Sequence, residues 1–117
     1  MNLRTTLSTI AALFFFTAIA SPLHASQLGK EMAEADTKLN ATYQRVLRGM
    51  PDDAAREKLK AAQRAWVAWR EAEEVLSASL YEDGKTGLFM QLELTLQRIT
   101  QLELIGARKT EYGYEQK

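Results

Sequence analysis

The sequence of 117 residues has no cysteine, one histidine and no excess of either charge. Without cysteine no disulfide can form, so stability has to come from apolar packing. Fifteen basic residues balance fifteen acidic ones, whereas a nucleic-acid-binding surface needs a basic stripe. The chain also lacks alternating Val-, Ile- or Thr-rich segments, internal repeats and low-complexity linkers. No strand is therefore predicted, and the length allows one domain at most.

The N-terminal part of the chain has the layout of a secretory signal peptide. Arg4 provides a short positive start, residues 10–20 form an apolar run, and a Ser-Pro pair breaks it. The run is shorter than the roughly 20 residues that span a bilayer. A retained membrane anchor is therefore the weaker interpretation, and export to the periplasm or the medium is the stronger one.

Cleavage is predicted after Ala25, with Ala20 as the second choice. The predicted division is a signal peptide at 1–25 and one domain at 26–117, without a membrane span after cleavage. No cysteine follows the apolar run, which excludes a lipid-modified N-terminus.

Export would also remove His24, leaving neither imidazole nor thiol in the domain. The usual nucleophile–base pairs and a typical zinc site are then excluded. Only carboxylate, lysine and tyrosine remain for acid–base work. The chain is accordingly predicted to bind a protein partner rather than to catalyse a reaction, with no cofactor and no metal.

Apolar residues at three-and-four spacing predict helices at about 27–48, 52–80 and 87–105. Three amphipathic helices with short connections bury their apolar faces by packing as antiparallel neighbours. The predicted fold is a small all-α antiparallel three-helix bundle, which its long second helix would make elongated. The predicted apolar faces are Met32, Ala35, Leu39, Tyr43, Val46 and Met50 in the first helix; Leu59, Ala62, Trp66, Trp69 or Ala72, Leu76 and Leu80 in the second; and Phe89, Leu92, Leu96, Ile99 and Leu102 in the third.

Capping residues predict where these helices begin and end. Gly49 fits a left-handed C-terminal cap of the first helix. Asp52 or Asp53 fits the N-terminal cap of the second, and Thr86 that of the third. Gly106 is the predicted end of the third helix.

An aromatic and basic cluster lies in the middle of the second helix. Trp66 and Arg70 are one turn apart, so the guanidinium can lie over an indole that belongs to the core. Trp69 fits either the core or an exposed binding platform. Glu71 and Glu74 are interpreted as a solvated charged face, with Arg70 pairing to Glu74. A carboxylate pair for glycoside hydrolysis is the weaker interpretation, because a convex helix surface does not separate two pKa values.

Two further pairs of polar residues lie beside predicted core positions. Asp36 and Asn40 are four apart on the first helix, and Thr95 and Arg98 are three apart on the third. Polar groups next to a core need partners whatever the function. We therefore expect these side chains to form interhelical hydrogen bonds that set the register of the bundle.

Three segments resemble one known family. Residues 36–43 resemble D-x-x-L-N-x-x-Y, residues 62–73 resemble A-Q-R-x-W-x-x-[aromatic]-R-[acid]-A-E, and residues 94–102 resemble L-T-x-x-R-x-x-x-L. In this order they look like the LprI-type lysozyme inhibitor family of small exported bacterial proteins, and the middle segment is the specific one. The motif residues are Asp36, Leu39, Asn40, Tyr43, Gln63, Arg64, Trp66, Arg70, Thr95 and Arg98.

The chain is a cysteine-less variant of this pattern. Where the family usually has two cysteines, it has Glu74 and either Met90 or Gln91. Both are missing together, as expected if a disulfide between the second and third helices was lost as a unit. The family's glycine-rich loop is also replaced, here by residues 82–87. The resemblance implies a helical fold and an activity of binding and inhibiting lysozyme in the cell envelope.

The loop Tyr81–Gly87 and the acidic residues before it are the predicted partner-binding surface. Such a surface can plug the cleft of a basic wall-degrading enzyme, or attach to it by charge. A periplasmic immunity protein against a delivered toxin, or a helical chaperone-like module of the envelope, are the alternatives. The predicted contact residues are Trp69, Glu71, Glu74, Tyr81, Glu82, Asp83 and Lys85.

Overall fold

The computed structural model describes residues 27–111, with side chains described to residue 108. Helix α1 covers residues 27–48, α2 is Asp53–Leu80 and α3 is Thr86–Glu111. The described residues contain no strand, so the predicted all-α three-helix bundle is confirmed. The predicted signal peptide and both cleavage positions lie outside the described residues. None of the described helices is long and apolar enough to cross a membrane.

The core lies along the line where the three helices meet. The whole predicted face of α1 takes part, because every third or fourth residue from Met32 to Met50 points inward. One cluster sits at the N-terminal part of α1 and a second in its C-terminal half. The first contains Met32, Ala35 and Leu92, and the second contains Leu39, Val46, Leu59, Ile99 and Leu102, with Tyr43, Met50 and Trp66 packed against it.

The predicted apolar face of α2 is largely wrong. Only Leu59 and Trp66 of that set pack into the core. The helix turns a mixed face inward, on which Gln63 and Ser77 are buried although they are polar. Gln63 can be buried because it accepts a hydrogen bond from Arg98 of α3, which offsets its desolvation. The remaining predicted residues, Ala62, Trp69, Ala72, Leu76 and Leu80, are exposed.

The predicted face of α3 is right for Leu92, Ile99 and Leu102, which are buried. It is wrong for Phe89 and Leu96, which are exposed. Leu94 and Thr95 are buried instead, so the inward face is rotated towards α2. The cause is that α3 packs against both α1 and α2. The buried part of its circumference is therefore wider than a single apolar stripe.

One predicted cap and one predicted helix end are wrong. Helix α1 ends at residue 48, directly before Gly49 as predicted, but Gly49 has no positive φ; among the glycines of residues 27–111 only Gly84 does, at 68°. Helix α3 continues through Gly106, where an added Cβ would lie 3.4 Å from a methyl group of Val46. The glycine therefore allows α1 and α3 to approach closely, and it does not end the helix. Of the two predicted caps, Asp52 and Asp53, the structure has Asp52, because its carboxylate accepts a 2.7 Å hydrogen bond from the Ala55 amide.

Candidate functional site

One arginine joins all three helices in the interior of the bundle. Arg70 Nη1 on α2 donates to Asp36 Oδ1 on α1 at 2.8 Å and to Thr95 Oγ1 on α3 at 2.9 Å. Thr95 is fully buried, and its hydroxyl donates to the carbonyl of Gln91 at 2.7 Å. The predicted pairing of Arg70 with Glu74 is wrong, because the guanidinium reaches inward to these partners rather than along the surface.

A second interhelical contact lies one to two turns away. Arg98 Nε on α3 donates to Gln63 Oε1 on α2 at 3.0 Å. Burial lowers the pKa of Arg98 below its ordinary value, because the charged form loses water. The half-buried Trp66 ring lies between the two arginines, 5.0 Å from Arg70 Cζ and 5.9 Å from Arg98 Cζ. The predicted stacking of Arg70 on a core indole is confirmed, with Arg98 as an additional cation.

The three motif segments therefore meet in one network rather than on a surface. Of the motif residues, Asn40 and Arg64 are exposed and lie outside it. The charged and hydrogen-bonding groups of this network are bonded to other helices of the same bundle. Its residues therefore position the helices relative to one another. Among the described residues no cluster of three His, Cys, Asp or Glu could hold a metal ion.

The predicted partner-binding loop is short and well ordered by its own hydrogen bonds. It comprises residues 81–85, because α3 already begins at Thr86. Asp83 accepts hydrogen bonds from the Lys85 and Thr86 amides, both at 2.9 Å, and from the Thr86 hydroxyl. The predicted cap of α3 was Thr86 itself, and the structure assigns this role to Asp83.

These hydrogen bonds also act on the pKa of Asp83. They hold this pKa at about 2, well below its ordinary value, chiefly through the Thr86 hydroxyl and amide. An aspartate is ionised at physiological pH even without this shift, so Asp83 is negatively charged, and Glu82 beside it is exposed. Tyr81 is 57% exposed. The loop presents an aromatic ring next to fixed negative charge.

Two exposed apolar side chains flank this loop, although both were predicted to lie in the core. Leu80 at the end of α2 is 66% exposed, and Phe89 in the first turn of α3 is 53% exposed. Their helical spacing had assigned them to the core. A groove of about 430 Å³ adjoins the loop, lined by Lys85, Thr86 and Phe89 and by the start of α1.

The predicted contact residues do not form a single surface. Tyr81, Glu82, Asp83 and Lys85 lie together in the loop. Trp69, 48% exposed, lies on α2 about 18 Å before Tyr81 along the helix axis. Glu71 is exposed and Glu74 half-buried on the same helix. The structure thus separates an acidic end of the bundle, formed by the loop, from an apolar side of α2.

The comparisons with known proteins identify one family. The model of the family described as lysozyme inhibitor LprI matches residues 21–102. No curated protein and no solved structure matches the chain. The matched residues include all three motif segments and every side chain of the Arg70 and Arg98 networks. The chain therefore belongs to the LprI family of lysozyme inhibitors.

Proposed function

We propose that this protein acts in the periplasm by binding and inhibiting a wall-degrading enzyme such as lysozyme, through the α2–α3 loop. The family to which the chain belongs supports the activity. The observation that carries the choice of surface is the acidic loop of residues 81–85, in which Asp83 accepts hydrogen bonds from the Lys85 and Thr86 amides beside the exposed Tyr81. A protruding aromatic ring with adjacent charge is the chemistry expected of a contact that fills an enzyme cleft.

Charge and shape have separate roles in this contact. Glycoside hydrolases of this kind work with two carboxyl groups in a cleft, and lysozymes are typically basic around it. Glu82 and Asp83 would steer the loop towards such a surface and raise the association rate. Tyr81, with Phe89 beside it, would provide the apolar contact that slows dissociation.

Replacing Tyr81 by alanine is expected to weaken inhibition about 30-fold, which corresponds to about 2 kcal/mol for a central aromatic contact. The measurement is the inhibition constant in a cell-wall lysis assay. Leu104→Ala is the matched control, because this side chain is similarly exposed, at 53%, but lies in the second half of α3. Equal inhibition by Tyr81→Ala and the parent protein would assign the contact to another surface. Full enzyme activity in the presence of excess parent protein would refute the proposed inhibition.

Charge reversal at Glu82 tests the steering step. Glu82→Lys is expected to lower the association rate about tenfold and to flatten its dependence on salt. Glu103→Lys makes the same change at an exposed position on α3 and is expected to leave both quantities nearly unchanged. An equal effect of the two substitutions would mean that net charge, rather than the loop, attracts the enzyme.

A second class of function has its own support. The exposure of Trp69, Leu76 and Leu80 gives α2 an apolar side that a chaperone-like envelope module could use. An immunity protein would use the loop as proposed, with a delivered toxin as its target. Capture from periplasmic extract by the parent protein and by Tyr81→Ala separates these possibilities. A wall hydrolase or toxin lost with Tyr81→Ala supports the loop, whereas many unrelated captured proteins support the chaperone-like module.

Export is part of the same proposal. The family match begins at residue 21, so nearly all of the predicted signal peptide lies outside the matched region. Protein recovered from the periplasm is expected to begin at Ser26, which intact mass and N-terminal sequencing would show. A start at Ser21 would favour the second cleavage choice, and recovery of the full-length chain in the membrane fraction would contradict the export proposal.

A further inference from the structure

Helix α2 has an apolar face that no other described element covers. Its large members are Trp69, Leu76 and Leu80, exposed by 48%, 51% and 66%. The spacing of three and four residues along this face is that of a coiled-coil seam. The complete seam, all of it exposed, is Ala62, Ala65, Trp69, Ala72, Leu76 and Ser79, with Leu80 beside it.

The face is wide as well as regular. Ala61, Ala68 and Val75 lie along one edge of the seam, and Val75 is 70% exposed. From residue 61 to residue 80, an arc of roughly 140° carries no charged side chain when the residues are placed at 3.6 per turn. An apolar stripe wider than about 100° on a helix normally faces a partner.

We propose that this face pairs with the same face of a second copy, in an antiparallel homodimer. Small and large residues alternate along the seam. When a second copy runs in the opposite direction, each large side chain can therefore lie opposite a small one. If Trp69 lies opposite Ala72 of the second copy, Leu76 lies opposite Ala65. The same register places Leu80 opposite Ala61 and avoids contact between two large side chains. Alanine at every facing position lets the helices approach closely enough to bury the indole.

The distribution of charge along α2 supports the antiparallel orientation. In the first half, Lys58 and Arg64 are exposed and have no ion-pair partner among the described residues. In the second half, Glu71 and Glu73 are likewise without an ion-pair partner in residues 27–111. Antiparallel pairing brings the basic half of one helix beside the acidic half of the other, whereas parallel pairing places like charges together.

The same charges argue against a lipid surface as the occupant. Helices that lie in a membrane interface usually carry lysine and arginine on both sides of the apolar face. Here three glutamates lie in the half of α2 that contains Leu76 and Leu80. An isologous contact fits better, because one self-complementary face then serves both subunits.

The test uses the protein expressed from its full sequence and purified in the form that the cell accumulates. Sedimentation velocity over a range of concentrations is expected to show a reversible monomer–dimer equilibrium. Ala72→Glu places a carboxylate opposite the indole and is expected to raise the dimer dissociation constant at least tenfold. Leu96→Glu is the matched control on the exposed side of α3, where Leu96 is 45% exposed, and is expected to leave the constant unchanged.

Cross-linking tests the orientation, because the chain has no cysteine of its own. Ala65→Cys and Leu76→Cys, mixed and treated with a short bis-maleimide, are expected to give a covalent heterodimer. Each variant alone is expected to cross-link much less, whereas a parallel dimer would show the opposite pattern and overturn the proposed geometry. A monomer at every concentration, or equal weakening by Ala72→Glu and Leu96→Glu, would overturn the dimer itself. These measurements use no enzyme, so their failure would leave the proposed inhibition standing.

Discussion

Replacing Leu102 by alanine is expected to lower the free energy of unfolding by about 3 kcal/mol. Leu102 is fully buried and packs with Leu39, Leu59 and Ile99, so its side chain touches a cluster built from all three helices. The substitution removes apolar contacts and leaves a cavity that rigid neighbouring helices fill only in part. No disulfide adds to the stability that remains, because the chain contains no cysteine.

Urea unfolding followed by circular dichroism measures this change. For a domain of this size the melting temperature is expected to fall by roughly 15 °C. Leu104→Ala is the matched control two residues later in the same helix, where the side chain is 53% exposed. Its effect is expected to stay within about 0.5 kcal/mol. Similar losses for both variants would show that the packing at Leu102 is not that of a core.

Replacing Arg70 by alanine is expected to cost about 2 kcal/mol of stability. The substitution removes hydrogen bonds to Asp36 and Thr95 and the cation over Trp66. Two features keep the expected loss below that of a fully buried ion pair. The Asp36 side chain is 44% exposed and can regain water, and Arg70 Nε is buried without a hydrogen-bond partner.

A double-mutant cycle separates the parts of this effect. Arg70→Ala combined with Asp36→Asn is expected to cost less than the sum of the two single changes, since both remove the same contact. Arg64→Ala is the matched control, because Arg64 is an exposed arginine on the same helix without an ion-pair partner in residues 27–111. Strict additivity of Arg70 and Asp36, or an equal loss from Arg64→Ala, would contradict the interhelical network.

The helices were predictable because the sequence signals agree locally. Apolar spacing placed all three helices, and Asp52 marked the start of α2. On α1 the predicted face was right throughout, since this helix has one apolar stripe and buries it. The polar residues Asp36, Thr95 and Arg98 were also predicted to bond between helices, because a polar group beside a core has to find a partner. The same prediction was wrong for Asn40, which is exposed to water.

The partners of these residues were not predictable. Arg70 has Glu74 one turn away on its own helix, and the sequence favoured that local pair. Its actual partner, Asp36, is 34 residues away and becomes available only when α1 and α2 pack. The capping of α3 was missed for a similar reason. Thr86 and Asp83 are both good capping residues, and the turn at Gly84 decides which one faces the free amides.

The sequence by itself determined three amphipathic helices, an absence of thiols and a resemblance to one family. Tertiary structure decided which side of α2 is covered. That helix has an apolar stripe through Trp69 and Leu76 and a mixed stripe through Gln63 and Arg70, and helical periodicity alone favours burying the first. The bundle buries the second, because Gln63 and Arg70 meet Arg98, Asp36 and Thr95 there. Periodicity measures how apolar a face is, but only packing supplies the partners that make a polar face the better one to bury.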